Sequence, residues 1–300
     1  MSDIKNLTTE EENLKTQDMD NITVHNFLQI MNSEDAKVAF CVKKQLGEIE
    51  NAVNLIVNSL KKGGKLYYIG SGTSGRLGIL DAVECPPTFG TTDEITGIIA
   101  GGDNAFIKAR EGVEDDFNLG KNDIDNYNIS DRDVVVGIAA SGRTPYTIGA
   151  LERAKEIGAK TISLSCNKNS KISTIADISI EIDVGPEVLS GSTRLKAGTA
   201  QKMVLNMLST TTMKELGKTY KNYMVDMKAT NKKLIERSKN IICKVTGCNI
   251  SKAEQALIDS NYDTKLAIAV VLLNSNVSDA KKKLDEADGI VKNIVNDYVQ

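Results

Sequence analysis

Three hundred residues with 41% hydrophobic side chains suffice for one globular domain plus an appendage, because single cores stop growing near about 250–300 residues. Thirty-seven Lys and Arg against 40 Asp and Glu leave a net charge of −3; no global basic field argues for nucleic acid, and the absence of Trp leaves little for base stacking. One histidine, His25, restricts any zinc-type site to Cys and carboxylate partners and would have to serve any Ser-His-Asp triad alone, so carboxylates, hydroxyls, lysines and backbone amides remain for chemistry.

The chain opens at Met1-Ser2-Asp3-Ile4-Lys5 on a polar stretch without the apolar segment of a signal peptide. Residues 1 to about 32 read as an arm, with His25 in it. A helix is predicted over Ser33–Lys62. Ser33 can cap it, and Val38, Val42, Leu46, Ile49, Val53 and Ile56 recur at helical spacing. Gly63-Gly64 ends it.

Short continuous apolar runs then begin at Leu66, Gly97, Val134, Thr161 and Ile178. Most are separated by helical stretches such as Tyr146–Ile157. Unalternating strands spaced by helices predict a mainly parallel, doubly wound α/β sheet flanked by helices. After Gly217 the strands are predicted to stop. Patterns over Lys228–Lys244, Lys252–Ser260, Thr264–Asn274, Ser278–Glu286 and Gly289–Val299 are helical. Thr246–Leu257 reads as the opening of a three-helix module. The expected organisation is an arm and long helix at 1–55, the sheet domain at 56–217 and a small all-helical module at 218–300. The run Leu266–Leu273 is too short to span a membrane. Cys41, Cys85, Cys166, Cys243 and Cys248 are scattered without a CxxC, as in a cytoplasmic protein with reduced thiols.

Two strand-end loops carry the chemistry. The first, Gly70-Ser71-Gly72-Thr73-Ser74-Gly75-Arg76, fits GxGxxG, and Asp93 and Glu94 stand where a ribose-binding acid would. It misses a Walker loop, because Arg76-Leu77 replaces Lys-Ser/Thr. The second, Ala140-Ser141-Gly142-Arg143-Thr144-Pro145, repeats the hydroxyls at another helix start. Two hydroxyl-rich helix N-termini suit a phosphate, although Ser and Thr are also ordinary N-caps.

These loops resemble the sugar isomerase (SIS) domain. Tyr68–Gly90 and Gly191–Lys202 resemble the signatures of the N-acetylmuramic acid 6-phosphate etherase family, as do Ile98–Gly102 and Glu111–Asp115. The resemblance runs from about Leu7 to Val299, and the stretch 91–96 is one residue shorter than in many relatives. It implies an SIS-type fold and a carbon–oxygen lyase of amino-sugar and peptidoglycan recycling. That enzyme removes D-lactate from N-acetylmuramic acid 6-phosphate by elimination and hydration. It implies no metal and no redox cofactor, a phosphosugar as substrate, and a homodimer with sites near the interface; charge, apolar run length and the scattered cysteines add the expectation of a cytoplasmic protein that binds neither nucleic acid nor membrane.

The family's catalytic pair falls on Glu84 and Glu114. Glu84 sits where Pro86 is expected to end a helix, and the negative helix end favours a protonated carboxyl, as a general acid requires. The local sequence equally allows an inert helix-end residue. Glu114 matches the family's base, with Glu111 competing three residues earlier in an acidic stretch. Ser74, Ser141 and Thr144 are the expected phosphate ligands, and Ser71 and Thr73 serve phosphate or sugar. Glu187 and Ser190, after the last strand, are expected along the substrate's path or as a turn and N-cap. Arg76, Arg143, Arg194 and Lys196 stay unranked. A non-catalytic phosphosugar-sensing regulator, a phosphosugar isomerase and a dinucleotide-dependent oxidoreductase remain alternatives.

Overall fold

The computed structural model describes residues 7–227 and 231–296. The predicted ends at Lys228 and Val299, and the start of the arm, lie outside them. Two compact units form. One comprises residues up to Val83 together with Asp93–Ser209, and the other Glu84–Thr92 with everything from Thr210.

The first unit does not contain one long helix after the arm. Three shorter ones form: α1 (Val24–Asp35), α2 (Val38–Lys43) and α3 (Leu46–Lys61). Thr23 caps α1 by accepting from the Asn26 N–H, while Ser33 lies inside it and donates to the Ile30 carbonyl. The predicted apolar stripe holds at Val38, Val42, Ile49, Val53 and Ile56, all buried, but Leu46 is exposed. The arm itself is packed, with Leu7, Thr9, Asn13 and Thr16 buried.

All five predicted strands form: β1 (Leu66–Gly70), β2 (Ile95–Ile99), β3 (Val134–Ile138), β4 (Lys160–Ser165) and β5 (Ile178–Glu181). They pair in parallel in the order β2-β1-β3-β4-β5. The connecting helices are α4 (Gly72–Phe89), α5 (Asn104–Ile107), α6 (Phe117–Asn126) and α7 (Pro145–Glu156), and α8 (Lys196–Glu215) follows β5. On one face Tyr67, Ile69, Ile98 and Val135 pack with Ile124 of α6 and Ile148 and Leu151 of α7. β1 and β3 are buried at every residue, which is why their sequences run apolar without alternation. Strand order reverses beside β1 and β3, the place where α/β sheets bind ligands at their carboxyl edge.

α4 corrects another expectation. It runs through Pro86 and Pro87 to Phe89. The prolines withdraw N–H groups only from the Ala82 and Val83 carbonyls, in the final turns. Gly90, at φ +66°, ends the helix, its N–H bonded to the Pro86 carbonyl. Glu84 is therefore five residues short of the terminus, and the helix-end argument for its protonation loses its basis.

The second unit is helical but not strand-free. β6 (Thr219–Tyr220) and β7 (Tyr223–Met224) make a short antiparallel ribbon, turned at Lys221 with φ +54°. Among the described residues five helices follow: α9 (Lys232–Thr246), α10 (Ile250–Asp259), α11 (Thr264–Leu273), α12 (Val277–Glu286) and α13 (Val291–Asn296). Thr246–Leu257 spans the junction of α9 and α10, rather than opening a three-helix module. Gly247 turns the chain at φ +75° and Asn249 caps α10. No helix among the described residues is long and apolar enough to cross a membrane.

Candidate active site

The carboxyl ends of β1 and β3 open onto a cavity of about 330 Å³. Its first wall is the β1–α4 turn, contributing Ser71, Gly72, Thr73, Ser74 and Arg76. The turn is tight enough to require glycine. A Cβ on Gly75 would stand 2.5 Å from the Gly70 carbonyl oxygen and 2.7 Å from Ile99 Cγ1. The first turn of α4 leaves N–H groups without helical partners and carries the positive end of the dipole. Ser74 is almost fully buried, and its hydroxyl donates to Gln201 Oε1 of α8 at 3.1 Å.

The second wall is the β3–α7 loop, with Ala139, Ala140, Ser141 and Thr144. Thr144 is the N-cap residue of α7 and Pro145 its first residue, yet the Thr144 side chain makes no capping bond. Its hydroxyl stays available to a ligand. Ser141 Oγ accepts from the Arg143 N–H at 3.2 Å. Between them Gly142 sits at φ +67°, where a Cβ would fall 2.3 Å from Ser170 Cβ. Asn167 fixes the loop from behind, donating to the Ala140 carbonyl at 3.0 Å and to Thr9 Oγ1 at 3.1 Å.

The third wall follows β2. Gly101 and Gly102 turn at φ +87° and +74°. Ala105, Ala109, Arg110, Glu111 and Glu114 then line the cavity, Glu114 from a single 3-10 turn at Val113–Asp115. Arg76 holds this segment by donating to the Ala105 and Phe106 carbonyls at 2.8 and 2.9 Å, and Arg110 donates to the Gly101 carbonyl at 2.8 Å. Both carboxylates face the same space. Glu114 is half-buried and Glu111 exposed.

Glu10, Gly191 and Thr193 close the lining. The Ser190 hydroxyl donates to the Glu10 carbonyl at 3.2 Å, and a Cβ on Gly191 would meet the Glu10 carboxylate at 3.3 Å. The sequence reading missed Glu10 and Arg110. Glu10 belongs to an arm with no local periodicity, and long-range bonds of Thr8 and Thr9 to Asn167, of Asn13 to the Pro186 carbonyl and of Ser190 to the Glu10 carbonyl bring that arm here.

Of the residues expected in the site, the structure brings Ser71, Thr73, Ser74, Ser141, Thr144 and Glu114 together. It does not bring Glu187 or Ser190 to the lining, and Glu84 belongs to the second compact unit. Glu187 is fully buried and accepts from the N–H groups of Lys196 and Ala197 at 3.0 and 2.9 Å, so its carboxylate caps α8. Burial pushes that carboxyl up, against those two bonds. Ser190 fastens the arm instead of facing the cavity. Lys196 is buried against Glu34 at 3.0 Å, and Arg143 lines a separate cleft with Phe117 and Lys171. His25 is exposed on α1. Glu84 is exposed too, on the part of α4 that belongs to the second compact unit. Leu80 and Val83 beside it are exposed apolar side chains.

Comparison with known proteins adds three matches to family models. Residues 48–155 match the glucokinase regulatory protein N-terminal SIS domain, 121–211 the SIS domain, and 221–291 the C-terminal lid domain of glucokinase regulatory protein. An N-acetylmuramic acid 6-phosphate etherase of Clostridium beijerinckii is 52% identical over 96% of this chain and 95% of its own. One from Oenococcus oeni is 52% identical over 98% of this chain and 99% of its own. Among solved structures, a phosphoheptose isomerase from Neisseria gonorrhoeae superposes with a TM-score of 0.50 at 19% identity, covering 63% of this chain and 98% of that one. That likeness concerns the fold.

Proposed function

Since the chain belongs to the N-acetylmuramic acid 6-phosphate etherase family, we propose that it is a carbon–oxygen lyase whose cavity between β1 and β3 cleaves the D-lactyl ether of that phosphosugar. The supporting observation is the joint lining: two hydroxyl-bearing helix starts on one side of a single cavity, a half-buried carboxylate on another. Ser74, Ser141 and Thr144, with Ser71 and Thr73, hold the 6-phosphate through hydroxyls and the N–H groups of α4. The sugar opens to its aldehyde, which acidifies the C2 proton. Glu114 removes that proton, lactate departs from C3 taking a proton from an acid, and water adds across the C2–C3 double bond. The products are N-acetylglucosamine 6-phosphate and D-lactate, with one water consumed.

Glu84 is the acid in this reading, supplied by a second copy of the chain. Its exposure and the exposed apolar Leu80 and Val83 next to it favour a homodimer built over that face. Mixing Glu84→Gln chains with Glu114→Gln chains then restores activity, because half of the sites in a mixed dimer hold both carboxylates. A phosphosugar isomerase on the same fold would release a ketose and no lactate. A sensing regulator would bind the sugar and turn nothing over. The scattered free cysteines agree with a cytoplasmic enzyme of cell-wall amino-sugar recycling.

A further inference from the structure

A buried amide stands directly behind the phosphate-facing hydroxyl of Ser74. Gln201 lies on α8, 1% exposed and outside the cavity lining. Its Oε1 accepts the Ser74 hydroxyl at 3.1 Å, and its buried Nε2 has no hydrogen-bond partner among the described residues. An orphan N–H donor is costly and uncommon in a protein interior. The arrangement has a second cost at the site. While Ser74 gives its only proton to Gln201, the hydroxyl offers lone pairs to the cavity, and an incoming phosphate needs donors.

Rotating the amide by half a turn removes both. Nε2 then donates to Ser74 Oγ, and the Ser74 proton is released toward the cavity. The orphan becomes a carbonyl, which interiors leave unpaired more readily than an N–H. We propose that Gln201 is a positioning residue for the substrate's phosphate, its amide donating to Ser74 so that the hydroxyl donates to the anion. This rests on the phosphate reading of the two loops. Gln201 falls inside the signature run Gly191–Lys202, but nothing in that run marks a role for its side chain.

The test compares two replacements of similar length. Gln201→Glu places a carboxylate that only accepts, which keeps the Ser74 proton turned inward. Gln201→Met removes the bond and leaves Ser74 free to donate. Competition by inorganic phosphate and the KM of the phosphorylated substrate are measured for both. The expected result is a loss of roughly tenfold or more in affinity for Gln201→Glu, with kcat little changed. That loss recedes as pH falls and the introduced carboxylate takes a proton. Gln201→Met, which removes the bond but leaves the Ser74 proton free, loses less than Gln201→Glu, and its loss does not change with pH. Equal losses in both variants, or a Gln201→Glu loss that does not change with pH, overturn the proposal and leave Gln201 a packing residue. Ser74→Ala separates the two readings. If it leaves phosphate binding unchanged, the phosphate site itself is misplaced. If it weakens binding while Gln201→Glu does not, only the role of Gln201 falls.

Discussion

Replacing Glu34 by Gln probes the ion cluster that ties α1 to the start of α8. Glu34 meets Lys196 at 3.0 Å, Lys37 at 2.7 Å and Lys15 at 3.1 Å. Glu34 and Lys196 are nearly inaccessible, their side chains 4% and 2% exposed, whereas Lys15 and Lys37 are half-exposed. Burial alone would push the carboxyl up. Hydrogen bonds from Lys37, Lys196 and Lys15 overturn that and lower it from 4.5 to about 2. A drop of that size is worth about 3 kcal/mol at neutral pH. Because the folded-state value is the lower one, the stabilisation is complete above the unfolded value of 4.5 and disappears as pH falls through about 2. Glu34→Gln also strands the Lys196 ammonium, so the expected cost at pH 7 is about 3–5 kcal/mol. Urea unfolding followed by circular dichroism measures it at pH 7 and at steps down to about pH 2.5. The gap between parent and variant should narrow across that range. Glu34→Gln combined with Lys196→Met should recover much of the loss, since the orphan charge is gone. A variant as stable as the parent at pH 7, or a gap independent of pH, would mean that the cluster does not stabilise the fold in this way.

Three further outcomes follow from the site. Ser141→Ala with Thr144→Ala removes charge-assisted bonds worth about 1.5–3 kcal/mol each, so the KM for the phosphorylated sugar rises at least tenfold. Affinity for the sugar without its phosphate is unchanged, as a binding titration with each form would read. Gly142→Ala forces a Cβ to 2.3 Å from Ser170 Cβ at a φ of +67°, costing about 1–3 kcal/mol in thermal unfolding and weakening phosphate binding through the flanking Ser141 and Thr144. Glu114→Gln abolishes both lactate release and deuterium exchange at C2 in heavy water, whereas Glu84→Gln stops lactate release and keeps the exchange. The two patterns reversed would mean the roles are exchanged. A normal Glu114→Gln beside an inactive Glu111→Gln would move the base to Glu111.

The sheet was legible because β1 and β3 are buried on both faces, and such strands must read as unbroken apolar runs. The hydroxyl-rich helix starts were legible because their small residues lie next to one another in sequence, as a tight strand-to-helix turn requires. What escaped depends on distant partners. No residue between Asp35 and Leu46 is a helix breaker. The chain nonetheless breaks near Lys37, where Glu34 turns inward to Lys196, and near Gln45, whose Oε1 accepts from the Glu181 N–H at 3.3 Å. Glu187 illustrates the converse. It caps α8 from nine residues before Lys196, where that helix starts, and nothing in the intervening sequence signals the bond. Gly191 and Thr193 line the cavity from the same segment, whereas Glu187 caps α8 and Ser190 bonds the arm.

Incubation with N-acetylmuramic acid 6-phosphate in heavy water, following D-lactate by enzymatic assay and the sugar by NMR, decides whether the cavity runs the elimination. The expected products are stoichiometric D-lactate and N-acetylglucosamine 6-phosphate carrying deuterium at C2, because the base removes that proton and solvent returns one on hydration. Lactate released with C2 still protiated would contradict elimination, and a ketose formed without lactate, or binding without turnover, would contradict the etherase reading.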